Sequence, residues 1–431
     1  MFENILEIAS KSSDAAEVYI ERITETEVSF EAGSLKSIER KQIAAAGLRI
    51  ILNGRLGFSA STDPSRADDL VASAAASARF SKEVSFSFPG TAPECTVETF
   101  DPAIESFAPE TAVDEGFRTI EILKERCPKG LTDITFSASV SDIRIMNTAG
   151  LDASYRSTDF SHVVTSLIIE GDSILWVSDG GHFGTLDIRT DAYIGKIADL
   201  AAKASRKAPK VSGRLPVIFT AEELPNLLQT FELGVNGRRL LKGDSPLIGR
   251  EGERVLGEVT MVDDPFRHLA PGSYPFDDEG MPGRRTVLFE GGVFRSFLFD
   301  LDTGAKTGHS STGSASRGAL SLPEIDTSNL VMSPGNTTLE DMIANMDEGI
   351  IVYGVLGGGQ SNLLAGDFAL NVMLGFLIKN GEYAGRLIDT MISGNAYEAF
   401  GAVHAMGAEV KQVGSDFVPD VCFGELSVSS R

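Results

Sequence analysis

The sequence predicts an α+β fold in which antiparallel sheets carry interspersed helices: N-terminal α/β segments followed by a β-rich C-terminal domain. Three observations predict it. Apolar residues alternate on a period of two in several stretches, tight glycine turns join such stretches, and segments with apolar residues three and four apart lie between them. Tight turns connect antiparallel neighbours, whereas a doubly wound parallel sheet requires regular strand and helix alternation.

The chain opens on a short amphipathic helix with Phe2, Ile5 and Leu6 against Glu3 and Glu7. Residues 16 to 60 alternate (Val18, Ile20; Val28, Phe30), then run through Ile50–Ile51 into Asn53–Gly54, a turn that needs positive φ. Pro64 precedes a helix over Arg66 to Phe80, with Leu70, Val71, Ala74, Ala75 and Ala78 at helical spacing. Residues 81–110 show little periodicity and several prolines, which reads as a linker between the segment 1–80 and the segment 111–210. The second segment repeats the plan: a helix over Ala112 to Arg126, strands from Ile134 to Asp179, and a helix over Asp191 to Lys207 with Ile194, Ile197, Leu200 and Ala201 inward.

Ala208–Pro209 and Gly213 mark the next boundary, and residues 211–431 form the β-rich domain. Leu215 to Phe219 is a short apolar strand. Glu222 to Phe231 reads as a helix interrupted near its start by Pro225. Hairpins follow at Gly291–Gly292 and Asn380–Gly381, with a helix over Leu339 to Met346 between them.

At 431 residues the chain is long enough for about three domains of ~150 residues. Its net charge of −23 excludes broad phosphate-backbone binding, which needs a basic footprint. Short basic runs at Arg206–Lys207–Lys210 and Arg238–Arg239–Lys242 read as solvated surface. Cys95, Cys127 and Cys422 are widely spaced, without a C-x-x-C pair, and read as reduced thiols. The longest apolar run, Phe368 to Ile378, contains Asn371 and is too short to span a bilayer. With no basic, apolar leader at the N-terminus, a cytoplasmic location is expected.

Site chemistry can be taken type by type. Zinc ligation requires side chains converging on one face, and His162, His182, His268, His309 and His404 are scattered. A nucleophile elbow requires Gly-x-Ser-x-Gly, whereas residues 308–313 read Gly-His-Ser-Ser-Thr-Gly. Asp302–Thr303–Gly304 matches the aspartic-protease tripeptide, without a second copy to share its proton. Gly357, Gly358 and Gly359 suit either an anion cradle or close packing, with no lysine following. Asp277, Asp278 and Glu279 crowd three carboxylates after Pro275 and read as an exposed acidic turn, a hard-cation chelate, or a helix cap.

Pro275–Phe276–Asp277–Asp278–Glu279–Gly280, then Arg284 to Leu288 and the hairpin into Phe297–Leu298, resemble the PmbA/TldD family. Ser311–Thr312–Gly313–Ser314, Gly349 to Val352, Leu356 to Gly359, Gly366–Asp367–Phe368, Lys379 to Glu382 and Ile392 to Asn395 follow in the family's order, and Met146 to Gly150 resembles its second segment. Members of the TldD type carry His-Glu-x-x-x-His at the start of the first helix of the C-terminal domain. Here Thr220 and Pro225 stand at the histidine positions and Ala221 at the glutamate. Proline has no donor atom and a neutral hydroxyl binds zinc poorly. The resemblance is therefore to the PmbA (TldE) branch.

What the resemblance implies is a metal-less subunit, with no cofactor in this chain and zinc expected in a TldD-type partner, in a peptidase acting on extended or unfolded peptides and maturing them. It implies a homodimer, a complex with a TldD-type homologous subunit, or both, and an indirect origin for the family's label as a modulator of DNA gyrase. Asp277, Asp278, Glu279, Gly357, Gly358, Gly359 and Asp367 are the expected groove residues, with the acids favouring basic peptides. Two alternatives stand: an autonomous peptidase whose site, with His309 or the carboxylates, assembles across a homodimer, and a non-catalytic peptide-binding or regulatory module.

Overall fold

The computed structural model describes residues 4–171, 173–357 and 362–430. Its N-terminal half is one six-stranded antiparallel sheet of β1 (Ala15–Glu31), β2 (Ser34–Leu52), β3 (Arg55–Ser61), β4 (Gly130–Asn147), β5 (Asp152–Glu170) and β6 (Ser173–Phe183), in the order β3-β2-β1-β4-β5-β6. The two N-terminal segments thus share a sheet. β1 pairs with β4 from Glu17 opposite Asn147 to Phe30 opposite Ile134. The intervening stretch contributes the short helix α3 (Pro102–Glu105) and is otherwise irregular up to Pro109.

All helices of this half lie on one face of the sheet, as the apolar periodicities require. α1 (Asn4–Ser10) and α2 (Ala67–Ala78) cover the end built from Val18, Ile20, Leu48 and Ile50. α4 (Pro109–Arg126) and α5 (Asp191–Ala204) cover the end built from Val28, Phe30, Phe136, Phe160 and Val177. α5 buries Ile194, Ile197, Leu200 and Ala201, the stripe read from its spacing. The core holding α4 and α5 continues into Ile218, Ile351, Phe376 and Cys422, so these helices lie between the two sheets.

The C-terminal half is built on an eleven-stranded sheet. β7 (Ser212–Phe219) runs parallel to the strand Glu348–Gly357 and antiparallel to the strand Asp416–Ser430. Together with Asp367–Lys379 and Thr390–Asn395, these strands close into a five-stranded ring. Two parallel pairings therefore enter a fold whose hairpins pointed to antiparallel neighbours throughout. Phe219, Phe231, Phe289, Phe294, Phe400 and Phe423 fill the core beside the ring. Pro225 does not interrupt a helix: Ala221–Glu223 form a 3₁₀ turn, and α6 (Pro225–Val235) starts on the proline, whose missing N–H is not needed at a first helical position.

The second face of the N-terminal sheet meets the C-terminal half at Tyr19, Ala45, Ile143 and Ile145, packed against Phe276 and Ala319. Gly47 makes this approach possible, because a Cβ there would lie 2.4 Å from the Ala319 carbonyl oxygen. Gly47→Ala is expected to lower stability by about 1–3 kcal/mol through forced separation of the halves, measurable as a fall in the denaturant midpoint.

Candidate functional site

The acidic turn faces inward, which corrects its reading as an exposed feature. Asp277 is 1% and Glu279 2% exposed. Asp277 accepts the backbone N–H of Glu279, Met281 and Ala315 at 2.9–3.0 Å. Asp278 accepts the Tyr19 hydroxyl at 2.9 Å and the Arg317 N–H at 2.8 Å. Glu279 accepts Arg49 Nη1 at 2.6 Å and the Leu301 N–H at 2.7 Å. Arg49 also grips Glu17 with Nε and Nη2 at 2.8 and 3.0 Å, and Arg317 Nη2 meets the same carboxylate at 2.6 Å.

Asp278 and Glu279 tie the two halves together, Asp277 fixes the turn itself, and their oxygens are already engaged. Burial pushes the Asp278 carboxyl up to about 6, and burial with the neighbouring Glu279 charge pushes Asp277 well above its ordinary value. Burial also works against the Glu17 carboxylate, but Arg49 and Arg317 outweigh it and hold that group below the usual range. A groove wall needs free, wetted oxygens, and Asp277 and Glu279 do not supply them.

A second polar cluster forms where β7 turns into α6. The Ala221 N–H donates to Asp420 Oδ1 at 2.8 Å, and Asp420 pairs with Lys411 at 3.1 Å. Lys196 of α5 bridges Asp179 of β6 at 3.1 Å and Glu222 at 2.7 Å. Gln412 donates to the His182 carbonyl at 2.9 Å, a further link between the halves. Burial raises the Glu222 carboxyl, yet Lys196 and Lys411 bring it down to about 2. Its neighbour Glu223 lacks such compensation and is pushed up to about 7 by burial.

Glu223 Oε2 accepts the Val355 N–H at 3.1 Å, which anchors the turn to the strand ending at Gly357. Gly357 has φ +115°, while Gly358 and Gly359 lie outside the described residues. Asp367 is exposed, accepts Asn395 Nδ2 at 3.0 Å, and opens the strand that returns antiparallel to Glu348–Gly357. Glu223 is thus bonded to one strand of a hairpin whose other strand Asp367 opens. Among the described residues, the acidic turn has no hydrogen bond or ion pair to Glu222, Glu223, Gly357 or Asp367. Glu222 and Glu223 stood beside the expected ligand positions in the sequence, but Asp179, Lys196, Lys411 and Asp420 carry no local motif.

Three family models cover most of the chain: PmbA/TldA metallopeptidase domain 1 over residues 16–78, the central domain over 102–210 and the C-terminal domain over 212–430. The chain belongs to the PmbA/TldD family. It is 27% identical to an uncharacterized protein of Methanocaldococcus jannaschii over 98% of this chain and 99% of the other. It is 25% identical to the metalloprotease PmbA of Escherichia coli O157:H7 over 96% and 93%. The crystal structure of TldE from Thermococcus kodakarensis superposes with a TM-score of 0.89 at 25% identity, over 99% of both chains.

A zinc site of the His-Glu-x-x-x-His kind does not fit the residues here. Thr220 is 1% exposed with an unpartnered hydroxyl, and Ala221 and Pro225 offer no side-chain donor. Among the described residues, no three His, Cys, Asp or Glu side chains converge on a metal position. His162 is enclosed by Phe136, Phe160, Phe183 and Tyr193, and His309 stacks on Phe299 at 4.6 Å. Cys422 is 3% exposed on a strand opposite Ile218.

Proposed function

We propose that this chain is the metal-less subunit of a two-subunit peptidase of the PmbA/TldD family, paired with a TldD-type homologous subunit that carries zinc. Its substrates are extended or unfolded peptides, cleaved or matured in the cytoplasm. The observation that carries this reading is the Thr220–Pro225 turn, where ligand positions hold Thr, Ala and Pro and the adjacent Glu222 is spent on Lys196. An acid held near pH 2 by two lysines is a structural anchor and a poor proton acceptor at neutral pH. Extended substrates suit a sheet-rich protein, because an exposed strand edge pairs peptide backbone whatever its sequence. Among the described residues, no helix is long and apolar enough to cross a membrane.

The test is elemental analysis of untagged protein with peptidase assays on the chain alone and after addition of a TldD-type homologue. The expected result is activity that requires the homologue, with zinc in the mixture at one per homologue. Stoichiometric zinc in this chain with turnover on its own overturns the proposal and favours the autonomous peptidase. Failure to associate with any TldD-type homologue favours the binding module.

A further inference from the structure

A cavity of about 590 Å³ opens between the helix Leu339–Ala344 and the strands β7, Val403–Val413 and Asp416–Ser430. That volume is within the range of small-ligand sites. Its floor is apolar: Met342, Met346 and Cys422 are 5%, 6% and 3% exposed, with Pro216 and Ala405 beside them. Its rim is acidic: Asp341, Asp347, Glu348 and Glu425 line it, and no lysine or arginine does.

Two of the rim acids hold exposed ion pairs, Glu348 with Lys379 at 3.1 Å and Glu425 with Arg214 at 3.4 Å. Such pairs are worth little and exchange readily for a better cation. Asp347 has no ion-pair partner among the described residues. Met342 on the helix and Met346 just past its end both line the cavity, and unbranched thioethers adapt to apolar stems of different shape.

A lysine or arginine side chain has the matching construction, an apolar stem with a cationic head. We propose that this cavity docks a lysine or arginine side chain of an extended peptide, with the stem on Met342, Met346 and Cys422 and the head at the Asp347, Glu348 and Glu425 carboxylates. The proposal rests on the reading of the chain as a peptide-handling subunit and names its substrate class. It also moves the preference for basic peptides from the buried acidic turn to a wetted rim.

The test is fluorescence anisotropy of the full-length chain, without any partner, using a labelled Ser/Thr/Ala peptide containing two lysines and its norleucine counterpart, which keeps the stem and removes the charge. The lysine peptide is expected to bind about tenfold more tightly. Its affinity should fall as salt rises from about 0.05 to 0.5 M. Asp347→Lys with Glu425→Lys should weaken it about fivefold or more. Glu110→Lys with Glu121→Lys on the exposed face of α4 makes the same change in net charge and should leave affinity within about twofold. Equal binding of the two peptides, or equal loss in both double variants, overturns the proposal. Because binding is read on the chain alone, a lysine preference without partner-dependent cleavage keeps this site and rejects the peptidase-subunit reading. Cleavage without the preference does the reverse.

Discussion

Replacing Arg49 with methionine is expected to lower stability by about 3–5 kcal/mol, the range for removing one member of a buried ion network. Arg49 is 2% exposed and provides three hydrogen bonds to Glu17 and Glu279, both equally inaccessible. Methionine retains most of the stem and leaves two buried carboxylates short of their cation. Arg317→Met should cost less, since Glu17 then keeps the bidentate Arg49. Adding Glu279→Gln to Arg49→Met should recover part of the loss, because the two sites are in contact and their effects do not add. Denaturant titration followed by the emission of the lone tryptophan, Trp176 on β6, reads all three variants. A loss under about 1 kcal/mol for Arg49→Met would show that the network is open to water.

The protein should be more stable near pH 6 than near pH 8, because buried carboxyls bind protons more tightly in the folded chain. Burial raises Glu223, Glu232, Asp263 and Asp416 each to about 7. In the unfolded chain these groups titrate near pH 4. Between those values the folded protein holds more protons, so stability decreases as pH rises through the window and levels off above about 7. His162 acts in the opposite direction: burial depresses its pKa, so its contribution is lost as pH falls below its unfolded value near 6.5. Glu222, held at about 2, is constant across the window. The four carboxyls outweigh the one histidine, so stability falls between pH 6 and pH 8. Asp263 offers a sharper check, since Oδ1 accepts both the Ser328 hydroxyl and N–H while Oδ2 is buried without a partner. Asp263→Asn should flatten the slope and raise the melting temperature at pH 8. A melting temperature at pH 8 equal to or above that at pH 6 in the parent protein refutes the raised carboxyls.

Local chemistry was legible in the sequence, and long-range pairing was not. The turns at Asn53–Gly54, Gly291–Gly292 and Asn380–Gly381 all form with two consecutive positive φ values, because few residue pairs tolerate that conformation. The apolar stripe of α5 was equally plain. The merging of two segments through β1 and β4, and closure of the ring by β7 between strands far along the chain, depend on partners more than a hundred residues away, which no window records. The acidic turn shows the same limit at the level of a site. Three consecutive acids signal water exposure unless cations come from elsewhere, and Arg49 and Arg317 arrive from distant positions.

The ion network also sets an order of events during synthesis. Glu17 and Arg49 can meet as soon as the first hairpin has left the ribosome, but Glu279 and Arg317 emerge more than two hundred residues later. At ~5–20 residues per second that interval is on the order of ten seconds to a minute. β1 and β2 wait through it with the face around Tyr19 and Gly47 uncovered, so this seam is completed only once the C-terminal half has been made.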